Sequence, residues 1–207
     1  MKKTTLYLTR HGQTEWNVAH RLQGHKNSPL TPLGLLHAAW LAESMSSIQL
    51  DIIYSSSSER TLQTAEILRN KRDIAILPEQ DLREINMGCW EGEVKDNVEA
   101  AFPEDYSAFW QTPHLFKPNN GGESFYDLQN RVLPKLREII ESNEGKNILI
   151  VTHAATLKLI MTHFSGKPLS EVWTPPIVDS TALCKVIIKG DQTIIELHGD
   201  TSHYKDN

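Results

Sequence analysis

Four short apolar runs separated by longer polar stretches give the chain its basic pattern. They read TLYLT, LDIIYSS, IAIL and NILIVTH, at positions 5–9, 50–56, 74–77 and 147–153. Their content of β-branched and aromatic residues favours strands. Because each run is hydrophobic almost throughout, the pattern is typical of a parallel sheet that is covered on both faces.

The first clear helical pattern follows the dipeptide Thr-Pro at 31–32, a suitable N-cap and first-turn pair. Apolar residues then recur at intervals of three and four, as on one face of a helix. We expect this helix to bury Leu33, Leu36 and Trp40 on that face. Leu41 lies at the margin of the same face.

After the second strand, we expect a helix that opens with a capping box of Ser56 and Glu59. Later patterns predict two more helices and a hairpin. Apolar residues spaced by three and four over 125–139 predict a long amphipathic helix. Residues 156–166 predict another helix. The final apolar stretch is expected to form a hairpin that turns at 190–191.

Strands that alternate with helices and end in a hairpin predict an α/β fold. We expect a three-layer α/β/α sandwich with a mostly parallel central sheet and an antiparallel element at its edge. Residues 86–122 depart from this pattern, because they contain many aromatic residues and prolines without a clean period. We interpret this segment as a small helical and aromatic lid insertion.

Length and composition set further bounds. A chain of 207 residues suits one substantial domain, and we expect residues 1–207 to form it. The formal net charge of −5 argues against a nucleic-acid partner. No apolar stretch is long enough to span a membrane, and no signal peptide is recognisable. We therefore expect a cytoplasmic protein; the sequence leaves its oligomeric state open, with a homodimer as one candidate.

Charged and polar residues follow three of the predicted strands. Arg10 and His11 come directly after the first strand, the segment 55–60 follows the second, and His153 follows another. Ligands of open α/β sheets bind beyond the carboxyl ends of the strands. We therefore expect these residues to meet at one edge of the sheet, where their positive charge suits an anion.

Five segments of the chain, in order, resemble the histidine phosphatase superfamily, which includes phosphoglycerate mutases and acid phosphatases. They read LTRHGQTEWN, YSSSSERTLQTAEIL, LREINMGCWEG, GGES and VTHAATLK, and they begin at positions 8, 54, 82, 121 and 151. The chain is most similar to the broad-specificity phosphatases and the α-ribazole phosphatases of this superfamily.

The resemblance implies a set of catalytic roles. Arg10 and Arg60 would hold phosphoryl oxygens through bidentate hydrogen bonds. His11 would attack phosphorus and carry the phosphoryl group as phosphohistidine, and His153 would donate a hydrogen bond to a phosphoryl oxygen. Glu84 would protonate the leaving oxygen and then activate water. We expect no cofactor and no metal, because the arginines supply the positive charge.

Four more residues match positions that lie near the phosphate in this superfamily. Asn17, Gln23 and Gly24 would add polar contacts. Ala154 stands where the family often has glycine, so that a methyl group is expected beside the phosphate. This difference leaves the size of the pocket open.

The expected activity is hydrolysis of small phosphorylated metabolites. Mutases that act on glycerate phosphates carry a longer, cationic insertion after the segment WEG. Here residues 93–120 contain Lys95 and Lys117 as their only lysine or arginine residues, among acidic and aromatic neighbours. We therefore favour a metal-independent phosphomonoesterase that accepts bulky, apolar leaving groups. A phosphomutase and a phospho-ligand binder without turnover are the alternatives.

Overall fold

The computed structural model describes residues 2–205 and is built around one six-stranded sheet. The order of the strands across the sheet is β3-β2-β4-β1-β5-β6. In chain order the strands are β1 (Lys3–Arg10), β2 (Ile52–Ser56), β3 (Ile76–Glu79), β4 (Asn147–Thr152), β5 (Leu183–Lys189) and β6 (Gln192–Asp200).

Strands β3, β2, β4 and β1 run parallel, and β5 and β6 add an antiparallel hairpin beside β1. This arrangement confirms the predicted α/β sandwich and its hairpin. The second and third strands begin two residues later than predicted, because pairing starts only at Ile52 and Ile76. The third strand also continues through Pro78 to Glu79, and an edge strand tolerates proline because one of its sides needs no donor.

Within residues 2–205, seven α-helices connect and cover the strands. They are α1 (Glu15–Val18), α2 (Pro32–Ser44), α3 (Glu59–Arg69), α4 (Lys95–Ala101), α5 (Pro103–Gln111), α6 (Phe125–Ser142) and α7 (Ala154–Phe164). None of the helices within residues 2–205 has the length and apolar character that a bilayer crossing requires.

The two faces of the sheet bury two separate apolar clusters. Side chains alternate across a strand, so Leu6 and Leu8 face one cluster while Tyr7 faces the other. The Leu6 side is covered mainly by α6 and α7, and the Tyr7 side by α2 and α3. The sheet is therefore the middle layer of a sandwich, which leaves the carboxyl ends of the parallel strands at one open edge.

Helix α2 is where predicted, but the predicted buried face was wrong. Leu33 and Leu36 are 37% and 39% exposed, and Trp40 is half-buried. The residues of α2 that are buried are instead the three small ones, Gly34, Ala38 and Ala42, and Leu41, which lies at the margin of the predicted face. Small residues are required because α2 lies directly on the loop after β1, where a Cβ on Gly34 would stand 2.1 Å from the carbonyl oxygen of Gln13.

Two predicted helix starts were also wrong. Helix α3 begins at Glu59 after Ser58, whose side chain makes no capping hydrogen bond, and Ser56 ends strand β2 instead of capping a helix. Helix α7 begins at Ala154, directly after β4, rather than at residue 156. The predicted amphipathic helix is confirmed as α6, which opens with a capping box formed by Ser124 and Asp127.

The segment 86–122 is helical and aromatic, as predicted. It contains α4, α5 and two single turns of 3₁₀ helix. Trp90, Phe109 and Phe116 are buried, and their rings pack against one another with centroids 5.3–6.1 Å apart. Phe125 of α6 and Trp173 extend this group of rings, which continues the apolar cluster on the Leu6 side of the sheet.

The observed orientation of α2 predicts unequal effects of two leucine substitutions on the same helix. Leu41→Ala should lower the free energy of unfolding by about 2–5 kcal/mol, because it leaves a cavity at a fully buried position. Leu36→Ala should change it by less than about 0.5 kcal/mol. Urea unfolding followed by circular dichroism measures both, and equal losses would contradict the orientation described here.

Candidate active site

The register of β1 and β4 places two histidines side by side. Arg10 pairs with Thr152 in the parallel ladder, so the next residues, His11 and His153, leave the sheet together. The backbone N–H of His11 donates to the carbonyl of Thr152 at 2.9 Å. The two imidazole rings lie with their centroids 5.3 Å apart at an interplanar angle of 64°.

A hydrogen bond to one ring nitrogen of His11 determines which of its two nitrogens carries the proton. Nδ1 lies 2.8 Å from the carbonyl oxygen of Gly12. A carbonyl only accepts, so Nδ1 carries the proton and Nε2 keeps its lone pair. Burial, reinforced by the charges of Arg60 and Arg10, holds the pKa of His11 well below its usual value. His11 is therefore a neutral imidazole with an unprotonated Nε2.

His153 uses both ring nitrogens within the protein. Nδ1 accepts a hydrogen bond from the Arg60 guanidinium at 3.0 Å, so Nε2 carries the proton and donates to the Ser56 hydroxyl at 2.7 Å. The ring is fully buried, and burial and the Arg60 charge lower its pKa well below the usual value. In this arrangement His153 orients Arg60 and has no free N–H for a phosphoryl oxygen.

Arg60 is a buried cation in the first turn of α3. Its guanidinium donates to the carbonyls of Lys26 and Gly24, each at 2.8 Å, as well as to His153. Burial lowers its pKa to about 10, so that it stays charged at neutral pH. The side chain is 1% exposed and is fixed by the loop after α1.

Arg10 is the second cation at this edge. Its guanidinium donates to the carbonyl of Val178 at 3.2 Å, and its Nε is buried without a partner within residues 2–205. Burial lowers the pKa of Arg10, while the nearby charges of Glu84 and Asp179 oppose that shift. The Nε of Arg60 is likewise buried without a partner within residues 2–205, so each of the two predicted arginines keeps at least one guanidinium N–H able to donate.

Glu84 is bound to the N-terminus of α7. Its Oε1 accepts from the backbone N–H groups of Ile85 and Thr156 and from the Thr156 hydroxyl, and its Oε2 accepts from the N–H of Ala155. The first N–H groups of a helix lack partners within the helix and favour negative charge. This one side chain therefore caps α7 and presents its carboxyl group to the cleft.

Arg131 holds the segment that carries Glu84, and sequence analysis missed it. Its guanidinium donates to the carbonyls of Arg83 and Glu84 and forms an ion pair with Glu123 at 2.8 Å. Glu123 also accepts from the backbone N–H of Asn86 at 2.8 Å. The GGES segment could have indicated this contact, because its glutamate is Glu123. Glu123 binds the loop that follows Glu84 and does not line the phosphate site.

The four predicted binding residues all line the same cleft as Arg10, His11, Arg60 and Glu84. Asn17 and Gln23 are both hydrogen-bonded to Thr14, at 3.0 Å and 2.5 Å. Gly24 accepts from Arg60 through its carbonyl, and Ala154 is the first residue of α7. Of the nine predicted site residues, only His153 does not line this cleft.

The cleft has two parts that share a boundary. The inner cleft, about 90 Å³, contains the predicted catalytic groups except His153, and the outer cleft, about 370 Å³, extends from it towards α7. Six residues line both parts: Arg10, Glu84, Met87, Lys95, Trp110 and Ala154. The outer cleft adds Ala155, Lys158, Trp173, Ile177 and Val178, which make its walls largely apolar.

Sequence analysis also missed two cations of the inner cleft, Arg21 and Lys95. Lys95 Nζ lies 5.8 Å from the ring centroid of Trp110, and burial lowers its pKa. With Arg10 and Arg60, four cationic side chains face the single carboxyl group of Glu84. This site can bind a dianion, offers an uncharged nucleophile and has one acid–base group, which are the requirements of phosphoryl transfer.

No group of three or more His, Cys, Asp or Glu side chains within residues 2–205 is arranged to hold a metal ion.

The chain belongs to the histidine phosphatase superfamily. The profile of branch 1 of this superfamily matches residues 6–201. Among curated proteins, phosphoserine phosphatase 1 of Hydrogenobacter thermophilus is 31% identical over 82% of this chain and 80% of its own length. A probable phosphoglycerate mutase, GpmB of Proteus mirabilis, is 34% identical over 79% of this chain and 75% of its own length.

Solved structures give the same result for the fold. YhfR of Bacillus stearothermophilus is 42% identical, with a TM-score of 0.93 over 97% of this chain and 98% of that chain. The α-ribazole phosphatase of Shigella flexneri is 27% identical, with a TM-score of 0.87 over 98% of this chain and 100% of that chain. These relatives confirm the sequence resemblance and the enzyme class, a phosphatase.

The neutral state of buried His11 predicts a pH-dependent stability. Below about pH 6.5 the unfolded chain binds a proton on this histidine that the folded chain does not, so stability falls as the pH falls. His11→Asn should therefore reduce the loss of stability between about pH 6.5 and about pH 5.5 by up to about 1 kcal/mol. Urea unfolding at a series of pH values measures this difference.

The matched control is His20→Asn, at an exposed position where φ is 53° and asparagine fits the backbone. It should keep the wild-type dependence of stability on pH. The same dependence in His11→Asn as in the wild type would show that His11 is charged in the folded protein.

Proposed function

We propose that this phosphatase hydrolyses small phosphate monoesters through a phosphohistidine on His11, without a metal ion. The observation that carries the proposal is the hydrogen bond from His11 Nδ1 to the carbonyl of Gly12, which leaves Nε2 unprotonated towards the inner cleft. A neutral imidazole nitrogen beside two guanidinium groups suits attack on a phosphorus atom.

In the first step, the lone pair of His11 Nε2 forms a bond to phosphorus and the bond from phosphorus to the ester oxygen breaks. Arg10 and Arg60 hold the phosphoryl oxygens, and His153 keeps Arg60 in place from behind. Glu84, in its protonated form, passes its proton to the leaving oxygen. Oε2 is suited to carry that proton, because it accepts only one hydrogen bond, from the N–H of Ala155.

In the second step, water attacks the phosphorus of the phosphohistidine. The carboxylate of Glu84 takes a proton from that water, and the bond between phosphorus and His11 Nε2 breaks. Inorganic phosphate leaves, and both side chains return to their starting protonation states. Asn17, Gln23, Gly24 and Ala154 line the inner cleft and complete the surface that surrounds the phosphoryl group.

The absence of a metal requirement rests on the charges of this site. Arg10 and Arg60 together match the two negative charges of a phosphate monoester, which is the task that metal ions perform in many phosphoryl-transfer enzymes. A protein named metal-independent phosphoserine phosphatase, from Arabidopsis thaliana, is 29% identical over 97% of this chain. From this relative we infer only that the chain needs no metal ion; we do not propose that it shares the relative's substrate.

The outer cleft supports a preference for apolar alcohol groups. Met87, Trp110, Trp173 and Ile177 line it beside the inner cleft, where the leaving group of a bound ester would lie. Burial of an aromatic ring against such walls contributes about 25 cal/mol for each Å² removed from water. We propose aryl and other bulky phosphate esters as good substrates.

Three expectations from the sequence are also part of the proposal. They are a cytoplasmic location, a single domain and the possibility of a homodimer.

A phosphomutase is the second candidate, and one observation favours it. Lys95 and Arg21 give the cleft more positive charge than sequence analysis anticipated, and a mutase needs cations for a second acidic group. Transfer between the carbon positions of phosphoglycerate, stimulated by a bisphosphorylated primer, would identify this activity. A binder without turnover would instead bind phosphate and form no acid-labile phosphoenzyme.

The proposal predicts that His11→Ala abolishes hydrolysis. The purified protein should release phosphate from 1-naphthyl phosphate in the presence of a chelator, and His11→Ala should lower kcat/KM by at least about 10³-fold. Acid-labile phosphate trapped on the wild type should be lost in the same variant. His20→Asn is the matched control, because asparagine fits the backbone at this position. Retained hydrolysis in His11→Ala would exclude His11 as the nucleophile.

The role of Glu84 predicts an effect that depends on the leaving group. Glu84→Gln cannot donate a proton and should slow hydrolysis of alkyl phosphates by about 10²–10⁴-fold. It should slow 4-nitrophenyl phosphate by less than about tenfold, because nitrophenolate leaves without protonation. Values of kcat/KM for the two esters measure the difference, because they report the first step and not the later hydrolysis of the phosphohistidine, and exposed Glu104→Gln is the control. Equal losses on the two substrates would contradict an acid role.

A further inference from the structure

The segment Trp173–Val178 forms one wall of the outer cleft, and we call it the outer wall. Trp173, Ile177 and Val178 contribute its lining side chains. Ile177 is 75% exposed, whereas Val178 is buried. A bulky leaving group in the outer cleft would lie against these side chains, so the position of this segment determines the shape of that part of the site.

The outer wall is not held by a backbone ladder. Pro175 and Pro176 have no N–H to donate, and within residues 2–205 the N–H groups of Ile177 and Val178 donate to no protein acceptor. The segment belongs to neither a strand nor a helix. Its position therefore depends on side chains from elsewhere in the fold.

Three side-chain contacts fix the outer wall at intervals. The indole N–H of Trp173 donates to the carbonyl of Phe109 in α5 at 2.7 Å. The ammonium of Lys158 donates to the carbonyls of Thr174 at 2.5 Å and Pro176 at 3.0 Å. At the far end, the carbonyl of Val178 accepts from Arg10. Lys158 is the contact that spans the prolines.

Lys158 is an unusual choice for a contact that only stabilises the fold. It is 4% exposed and makes no ion pair within residues 2–205. The other ionisable groups around it are Lys167, which adds like charge, the thiol of Cys184, and His198, whose pKa is lowered by burial and by the two lysines. Burying an ammonium beside a cation is costly. Lys158 also lines the outer cleft, and a methionine would fill similar space there without that cost.

Lys158 also connects the wall to the catalytic groups. It lies on α7, whose first N–H groups bind Glu84 and which begins directly after His153. Because α7 is rigid over these few residues, a hydrogen bond from Lys158 sets the distance between the outer wall and the proton donor. It thereby sets the space that is open to the leaving alcohol beside Glu84.

We propose that Lys158 is a positioning residue that holds the outer wall in place and thereby determines how tightly bulky, apolar leaving groups bind. The proposal rests on the hydrolysis proposed above for the choice of ligands, and it concerns the alcohol part of the ester rather than the phosphoryl group. Loss of the ammonium should release Thr174 and Pro176 and let the outer wall move away from the cleft.

The test measures binding of two ligands that occupy different parts of the site. The non-hydrolysable 1-naphthylmethylphosphonate should occupy both cleft parts, whereas inorganic phosphate should occupy the inner cleft alone. By calorimetry on the whole chain, Lys158→Met should raise the Kd of the phosphonate about tenfold relative to the Kd of phosphate. Lys158→Arg, which keeps a cationic donor, should restore the ratio to within about threefold of the wild type.

The matched control is Lys167→Met. Lys167 follows the C-terminus of α7, is 45% exposed and pairs with Glu171, and its loss should leave the ratio of the two Kd values unchanged. A destabilised but correctly shaped protein would also keep the ratio. If Lys158→Met does not fold, Lys158→Gln takes its place. Its amide is too short to reach the carbonyls of Thr174 and Pro176, so the same change in the ratio of the two Kd values is expected.

Three outcomes would overturn the proposal. They are an unchanged ratio in the folded Lys158 variant, an equal weakening of both ligands, and a failure of Lys158→Arg to restore binding. Because the readout is binding, it is independent of turnover. A wild type that binds both ligands but hydrolyses no ester would contradict the proposed function and leave the role of Lys158 measurable.

Discussion

The parallel pairing of β1 with β4 is the constraint on which the site depends. Opposite residues Arg10 and Thr152 end the ladder together, so that His11 and His153 emerge in contact. A slip of one residue would turn every side chain of β1 to the opposite face of the sheet. The buried alternation of Leu6, Tyr7 and Leu8 prevents that slip. Packing of the apolar core therefore fixes the positions of the reacting groups, although no core residue takes part in the chemistry.

The charges around the cleft are arranged for a ligand rather than for the stability of the chain. Two guanidinium groups are buried close to each other, and the histidines beside them are kept uncharged by burial and by those same cations. Backbone carbonyls of Gly24, Lys26 and Val178 offset part of the cost of burying the arginines. A neutral imidazole beside fixed positive charges is complementary to a phosphate dianion, and the fold supplies this arrangement.

Much of the architecture could be predicted because it follows from local patterns. Apolar runs predicted the strands, and polar residues at their ends predicted the edge where Arg10, His11 and Arg60 meet. The buried face of α2 could not be found in this way, because contact with the loop after β1 requires Gly34 and overrides the leucine pattern. Arg131 and Lys158 were also missed. Both act on backbone carbonyls, Arg131 on Glu84 and Lys158 on Thr174, and no spacing of residue types records such a contact.

Hydrogen bonds from three side chains hold the outer wall in place, whereas the sheet and the helices that follow its strands position the phosphoryl-binding groups. Arg10 belongs to both parts, but the other residues of the outer wall can change without altering the inner cleft. Replacements at Trp173 and Ile177 can therefore alter which alcohols are accepted while the groups around the phosphoryl unit stay the same. Such modularity suits a superfamily in which solved relatives named for α-ribazole and for phosphoserine share this fold at TM-scores of 0.85–0.87.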